Sequence, residues 1–310
     1  MGAFSLLVSI IIPTFNRADM LEYTLPRIVE LTRDYKQLEI IIVDNNSSDN
    51  TKAVADRYVD QVHYEFVAEQ GKNNALNRAI EIAQGEILVF IDDDVTPGPK
   101  WLDEIIRSCE DWPEHNIFGG KVLPKFPADT PDWVISGDFA PFVFAIHDLP
   151  QNEGLYEDEA TPSGPNCWMR KRLFDNNVRY DGNIGPKGSG RVSGSELEFF
   201  TRMKAQGIEP VYIPTAEVQH NIQKFQTTIK YLLKRSYASG MGYVYIYGFN
   251  GVKKIFGIPR YLFLQIIVNT LNGAWQFFAN NKKKSMEFFM VAAHRYGCIK
   301  GALRPSPSKK

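Results

Sequence analysis

The sequence predicts an α/β protein built on a mixed, mostly parallel sheet flanked by helices, with a helical extension at its C-terminal end. Two observations lead there. The runs 7–12, 39–43 and 87–91 are short, continuous and apolar, as in strands buried on both faces. Each ends in a polar loop followed by apolar residues at helical spacing, and three such strand-loop-helix units in succession gather their loops along one sheet edge. In an open sheet of this kind, ligands bind beyond the carboxyl ends of the strands.

The first run, Leu7 to Ile12, closes in Pro13-Thr14-Phe15-Asn16-Arg17, which is turn chemistry. Leu21, Leu25 and Ile28 follow at helical spacing, and Pro26 inside that pattern predicts a kink or a late start. The second run ends in Asp44-Asn45-Asn46-Ser47-Ser48-Asp49-Asn50, ahead of a helix over about 51–59. Gly71-Lys72-Asn73-Asn74 opens a third helix, with Leu76, Ala79, Ile80 and Ala83 on one face and Gly85 as its stop. The third run then delivers Asp92, Asp93 and Asp94. Adjacent carboxylates repel one another; a hard divalent cation relieves that repulsion and in turn holds phosphate. Taken alone, the triplet before Pro97-Gly98-Pro99 reads better as a solvated acidic turn. Its placement beside Pro13, Thr14 and Asp44 on one sheet edge is what points to a cleft.

A chain of 310 residues that is 44% hydrophobic and 13% aromatic can bury a sizeable core, as one large domain with an appendage or as two domains. Cys109, Cys167 and Cys298 lie far apart with no disulfide or metal-type spacing, which predicts a reduced, cytoplasmic compartment. The apolar stretch from Phe4 to Ile12 has no basic residue before it and no small-residue cleavage site after it, so it reads as the first strand. A net charge of -1 conceals a division: from Asn221 onward the chain carries 15 of its 35 Lys and Arg but one acid, Glu287.

The segments Val8–Arg17, Glu39–Asp49 and Gly85–Val95 together resemble the opening of a glycosyltransferase of family 2, and the likeness extends over roughly residues 8–240. The resemblance implies the GT-A, Rossmann-like fold. It implies that Pro13, Thr14, Asn16, Asp44, Lys72, Asp92 and Asp93 contribute to binding a nucleotide-sugar, with a UDP-sugar favoured. Asp92 and Asp94 stand as the family's Asp-x-Asp element, and Asp94 would ligate manganese or magnesium bridging the diphosphate.

The stretch 124–165, rich in Pro, Gly and aromatics, is too long for a simple connection and reads as a functional cover with some structure of its own. Trp133, Phe139, Phe142, Phe144 and Tyr156 are candidates for stacking on sugars or for packing the loop. The resemblance places Asn166 and Trp168, just before the paired bases Arg170 and Lys171, and Glu198 further on, on the acceptor side of the site. At Ser193-Gly194-Ser195-Glu196-Leu197-Glu198 the family's usual Gly-Glu-Asp-x-Glu is altered: Ser195 replaces Glu and Glu196 replaces the Asp that serves as general base. Glu196 keeps the carboxylate with one more methylene; together with Glu198 it also reads as the acidic first turn of an ordinary helix. His220, at the end of the strand-like run 211–220, matches the position from which relatives send an imidazole to the metal; a packed histidine is the alternative.

The expected organisation is a catalytic domain over 1–223, with the nucleotide-sugar part in about 1–120 and the acceptor side in 121–223, then a basic, amphipathic helical extension over 224–310. Within the extension, a helical segment from Lys224 to Tyr247 is followed by a break at Gly248-Phe249-Asn250-Gly251. Over 261–279, Gln265, Asn269, Asn272 and Gln276 form a narrow polar stripe on an otherwise apolar helix, which should therefore bury most of itself. Lys253, Lys254 and Arg260 precede it and Lys282, Lys283 and Lys284 follow. Three fates compete: packing on the catalytic domain or the next helix, lying in a membrane interface, and spanning the bilayer, which four amides and Gly273 disfavour. The cationic excess favours an anionic membrane surface, peripheral on the inner face of the cell membrane; nucleic acid is not expected, since no motif for it accompanies the charge.

The function expected is metal-dependent, inverting transfer of a sugar from a nucleotide diphosphate to a hydroxyl of a glycan or lipid-linked acceptor. The alternatives are a non-catalytic nucleotide-sugar-binding relative and a nucleotidyltransferase. The latter would be expected to show a Gly-rich phosphate loop after the first strand, where this chain has Pro13-Thr14-Phe15-Asn16.

Overall fold

The computed structural model describes residues 6–187, 190–249 and 251–303. In chain order the elements are β1 (Val8–Thr14), α1 (Ala18–Thr32), β2 (Leu38–Asp44), α2 (Thr51–Asp56), β3 (His63–Phe66), α3 (Lys72–Ile82), β4 (Ile87–Ile91), β5 (Val95–Pro97), α4 (Trp101–Asp111) and β6 (Ile117–Lys125). There follow α5 (Asp132–Ile135), α6 (Ala140–Val143), β7 (Gly154–Leu155), β8 (Asn166–Arg170), β9 (Gly185–Lys187), β10 (Gly190–Val192), α7 (Ser195–Lys204) and β11 (Val211–Asn221). The chain ends in α8 (Ile229–Tyr247), β12 (Lys254–Ile255), β13 (Ile258–Pro259), α9 (Arg260–Phe278) and α10 (Lys282–Ala302). They form two compact units. The first comprises Met1–Lys125, Ala145–Gly182 and Ser195–Asn221; the second comprises Phe126–Phe144, Asn183–Gly194 and Ile222–Lys310.

The first unit is a mixed sheet in the order β3-β2-β1-β4-β8-β6-β11-β5, with β7 also on β11. Strands β3, β2, β1 and β4 run parallel, as do β6 and β11, while β8 runs antiparallel to both β4 and β6. Every residue of β1 and β4 is buried because both sheet faces are covered. Ile10, Ile12, Val89 and Ile91 pack with Leu21, Leu25 and Ile28 of α1 and Trp101 and Ile105 of α4. Ile11, Leu88 and Phe90, one residue out of phase, pack with Leu76 and Ile80 of α3 and Phe199 and Phe200 of α7. That two-sided burial, worth about 2 kcal/mol per enclosed Ile or Leu, is why these strands are continuous apolar runs without alternation.

Several expectations change at the boundaries. Helix α1 begins at Ala18 and continues through Pro26, so it has no late start. Helix α2 stops at Asp56, and the edge strand β3, with two exposed residues among its four, has no apolar run to announce it. Gly85 is not the stop of α3, which is capped at Ala83. It lies where the chain enters β4, and a Cβ there would come within 2.5 Å of the Ser9 backbone nitrogen and Oγ. A bulge between Ile213 and Glu217 lets β11 bend past Pro214, which has no N–H to offer a ladder.

In the second unit, α8 and α10 meet through glycines: a Cβ on Gly240 would lie 1.9 Å from His294 O, and one on Gly297 would lie 2.0 Å from Tyr237 O. Helix α9 packs on α10, with Ser285 Oγ donating to Gly273 O at 2.8 Å. The expectation that α9 buries most of itself is overturned. Leu262 and Gly273 are buried, while Leu264, Ile267, Leu271, Trp275 and Phe278 are exposed. The helix uses its narrow side for the contact with α10, because a seam containing glycine permits a closer approach than one of large side chains. The unit begins at Ile222 rather than Lys224 and also takes residues 126–144 and 183–194, since α5 packs on α10, α6 on α8, and β10 on α8.

His147, bridged to Val122 by paired backbone hydrogen bonds, places Nε2 2.9 Å from Tyr156 Oη and packs on the Tyr156 and Tyr212 rings. Burial lowers its pKa to about 4, opposed by Asp148. The unfolded chain therefore takes up this proton first: the contribution to stability is intact above pH ~6.5 and is lost as pH falls toward 4. Between pH 7.5 and 5 the loss should be about 2 kcal/mol. Urea midpoints of the parent and His147→Gln at both pH values check this; the substitution should remove most of the difference.

Candidate active site

The three carboxylates after β4 are each taken up by a different set of partners. Asp92 Oδ1 accepts from Lys72 Nζ at 2.8 Å, and the same ammonium donates to Glu196 Oε1 at 2.8 Å. Lys72 opens α3 directly after Gly71, whose φ of 138° lies where a side chain would be strained. Glu196 stands in the first turn of α7, and Gly164 makes room for it: a Cβ there would meet Glu196 Oε1 at 2.5 Å. Pro13, Lys72, Phe90, Asp92, Tyr180 and Glu196 line a space of about 10 Å³, the size of a single water.

Asp93 is buried and accepts from Thr14 Oγ1 at 2.7 Å and Arg17 Nη1 at 3.3 Å, while its backbone oxygen accepts from Thr24 Oγ1 at 2.8 Å. Asp94 is also buried; its Oδ2 accepts from Arg17, and its backbone oxygen accepts from Asn221 N at 2.8 Å. Asp94 Oδ1 has no hydrogen-bond partner among the described residues and lies 3.5 Å from His220 Nε2.

The electrostatics follow from this arrangement. Burial pushes the Asp93 carboxyl up, with Arg17 pulling the other way and Asp94 adding to the rise. Burial also opposes ionisation of Asp94, but His220 and Arg17 outweigh it and hold that carboxyl well below the usual range. The Asp93 charge, against the cost of burial, raises Arg17, and Lys72, despite burial, is raised by Asp92 and Glu196.

No group of three or more His, Cys, Asp or Glu side chains able to hold a metal is present among the described residues. The pair Asp94 and His220 nevertheless fits a cation that takes its other ligands from phosphate and water. A buried carboxylate oxygen that accepts no hydrogen bond, 3.5 Å from an imidazole nitrogen, is a donor set that suits a divalent cation.

The remaining residues singled out from sequence divide into loop fasteners and buried supports. Asn16, in the left-handed region at φ 49°, accepts from Ser48 N at 2.7 Å and donates its N–H to Ser47 Oγ at 2.8 Å, joining the loops after β1 and β2. Asp44, buried, accepts from Ser47 N at 2.8 Å and Tyr64 Oη at 2.7 Å. Pro13 lines the small space beside Lys72.

Asn166 and Trp168 do not reach an acceptor surface in this structure; both are fully buried. Asn166 accepts from Trp101 Nε1 at 2.9 Å and donates to Lys121 O and Ala216 O at 3.0 and 2.7 Å, where it supports the bulge of β11. Trp168 stacks on Phe118 and donates to Ser108 Oγ. Glu198 is engaged by Arg202 at 2.8 Å. Of the aromatics in 124–165, Phe144 and Tyr156 are buried in ring clusters, Trp133 packs on Phe139, and Phe142 is exposed. Arg17 carries no motif of its own; its signal in the sequence is a cation directly after the first strand, facing three acids at the end of a neighbouring one.

This architecture is the GT-A fold of glycosyltransferases. It is similar to the structure of the Pyrobaculum calidifontis mannosyltransferase PcManGT in complex with GDP-Man and Mn2+, with a TM-score of 0.61 at 16% identity over 96% of this chain and 87% of that one. The family model for glycosyl transferase family 2 matches residues 9–177, more than half of the chain, and the chain belongs to that family. It is 25% identical over 247 residues to the glucosyl-dolichyl phosphate glucuronosyltransferase of Haloferax volcanii, covering 75% of each chain. It is also 35% identical over 124 residues to the GalNAc(5)-diNAcBac-PP-undecaprenol beta-1,3-glucosyltransferase of Campylobacter jejuni, covering 38% of this chain and 39% of that one.

If Asn166 is a support, Asn166→Leu should cost about 2–4 kcal/mol, because it removes three hydrogen bonds of a buried amide at once. The urea midpoint reads this, and nucleoside diphosphate affinity of the folded fraction should not change. An unchanged midpoint with weakened use of acceptor would return Asn166 to the acceptor surface.

Proposed function

We propose that this family 2 glycosyltransferase moves a sugar from a nucleotide diphosphate sugar, with a UDP-sugar favoured, to a hydroxyl of a glycan or lipid-linked acceptor, inverting the anomeric centre. The supporting observation is the Lys72 clasp: one ammonium lies 2.8 Å from Asp92 at the end of β4 and 2.8 Å from Glu196 at the start of α7. It holds the donor-side carboxylate and the candidate base together.

Glu196 is the general base in this reading. As the acceptor oxygen bonds to the anomeric carbon, its proton passes to the Glu196 carboxylate, and the bond from that carbon to the diphosphate breaks with its electron pair leaving on the diphosphate. Attack from the face opposite the leaving group gives inversion. The donor's negative charge draws Lys72 toward phosphate, which frees Glu196 to accept the proton. Asp94 and His220 would hold manganese or magnesium, which would supply Lewis-acid stabilisation of the leaving diphosphate. Pro13, Thr14, Asn16 and Asp44 order the two loops against which base and ribose lie. Asp93 acts through Thr14 and Arg17, keeping Asp94 in place.

The polyprenyl-linked sugars in the relatives' names support a lipid-linked acceptor here. Together with three free cysteines and the cationic C-terminal third, they support a cytoplasmic location, peripheral on the inner face of the membrane.

Two experiments test the site. Asp94→Asn should abolish the metal-dependent part of nucleoside diphosphate binding, measured by calorimetry with and without manganese, while the far-UV spectrum is unchanged; equal metal dependence in both proteins would sink the assignment. Glu196→Gln should leave donor affinity within a few-fold of the parent and lower transfer by roughly 10² to 10⁴. Transfer at the parental rate would move the base elsewhere. A parent that binds donor but serves no acceptor in a broad panel would favour a non-catalytic binding protein, the reading that the Ser195-Glu196 departure supports.

A further inference from the structure

The amphipathic sense of α9 is reversed. The side turned to α10 carries Leu262, Ile266 and Gly273, with the amides of Gln265, Asn269 and Gln276 half-buried along it. The opposite side carries Leu264, Ile267, Val268, Leu271, Trp275 and Phe278, all exposed, with Trp275 at 70% and Phe278 at 84%. At 100° per residue these six fall within one stripe of the helix, a contiguous apolar face of the kind that soluble monomers seldom leave to water.

A second observation lies immediately upstream. Strands β12 and β13 form a hairpin that leads straight into α9, and its two tip residues, Phe256 and Gly257, have φ of 50° and 79°. A turn of this kind ordinarily takes Asn-Gly, because an aromatic residue is strained in the left-handed region. Here Phe256 occupies that position and is 95% exposed. The strain places a large apolar ring in solvent at the tip.

The occupant follows from charge. Lys253, Lys254 and Arg260 precede the face and Lys282 and Lys284 follow it, all exposed, and no charged residue lies between Arg260 and Lys282. A second copy docking through α9 would set cationic ends on cationic ends in either orientation, and from Asn221 onward Glu287 is the single acid of the sequence. An anionic lipid surface offers an apolar interior for the face and counter-charges for both ends. No described helix is long and apolar enough to cross a membrane, so an in-plane position is the one that suits α9.

We infer that the outer face of α9 and the Phe256 hairpin tip form an interfacial anchor that docks the enzyme on anionic lipid. The inference rests on the proposed reading of a lipid-linked acceptor and names the element that reaches it.

The test is flotation of the full chain with phosphatidylglycerol-containing and pure phosphatidylcholine vesicles at low salt. Alongside it, manganese-dependent nucleoside diphosphate binding and sedimentation are measured without vesicles. The parent should float with the anionic vesicles and much less with the neutral ones. Leu271→Ser/Trp275→Ser should reduce that recovery roughly tenfold or more, and Phe256→Ser several-fold, with nucleotide binding unchanged. Lys253→Glu/Lys282→Glu should erase the preference for anionic lipid. A parent that does not float, or a Leu271→Ser/Trp275→Ser variant that floats as the parent does, would overturn the anchor. So would a parental dimer that this variant converts to monomer, because a second copy would then cover the face. Flotation without nucleotide binding would keep the anchor and overturn the donor reading.

Discussion

Three adjacent carboxylates at the end of a strand buried on both faces are the constraint from which the rest of the site follows. Two unit charges 4 Å apart interact by about 4 kcal/mol at an effective dielectric near 20, so the triplet at 92–94 requires cations close by. They come from separate parts of the chain, Arg17 after β1 and Lys72 at the start of α3, and the His220 imidazole near the end of β11 lies 3.5 Å from Asp94. Each arrives there because the parallel strands bring the loops after β1, β3 and β4 to one edge while β11 runs back along β5. Folding of the first unit and assembly of the charge network are therefore coupled. A diphosphate entering the site meets cations already drawn together by the acids of the protein.

The second unit poses the opposite problem, an excess of positive charge and apolar surface with little to neutralise either. Its helices α8 and α10 meet through Gly240 and Gly297, while of the large side chains of α9 Leu262 is buried with Ile266 packed beside it and Leu264, Ile267, Leu271, Trp275 and Phe278 stay outside the core. A helix that turns its amides inward and its Trp and Phe outward has a packing logic that makes sense only against an apolar partner outside the chain.

Much of the sheet could be read from the chain because burial on both faces leaves a plain mark: a short apolar run closed by a polar loop, at β1, β2 and β4. The helices α1 and α3 were legible from the spacing of their apolar residues. Strand β3 was not, because an edge strand with exposed ends carries no such mark, and Gly85 was misplaced because its contact is with Ser9, 76 residues away. At the site, the resemblance selected Asp92, Asp94, Glu196 and His220, and the structure brings Asp92 and Glu196 onto one ammonium and sets Asp94 beside His220. Asn166 and Trp168 could not be separated from surface residues by sequence, since a buried amide and a binding amide are the same residue until their partners are known.

The order of residues by itself determined the fold class, the sheet edge on which chemistry gathers and the division between an acidic body and a basic tail, because each depends on local composition and spacing. The tertiary structure decided which carboxylate faces which cation, that Arg17 joins the network, that Asn166 serves the bulge of β11, and that α9 shows water its apolar side. Those outcomes depend on contacts between residues far apart in sequence, and on which of two faces of one helix finds a partner, quantities that no stretch of sequence carries alone.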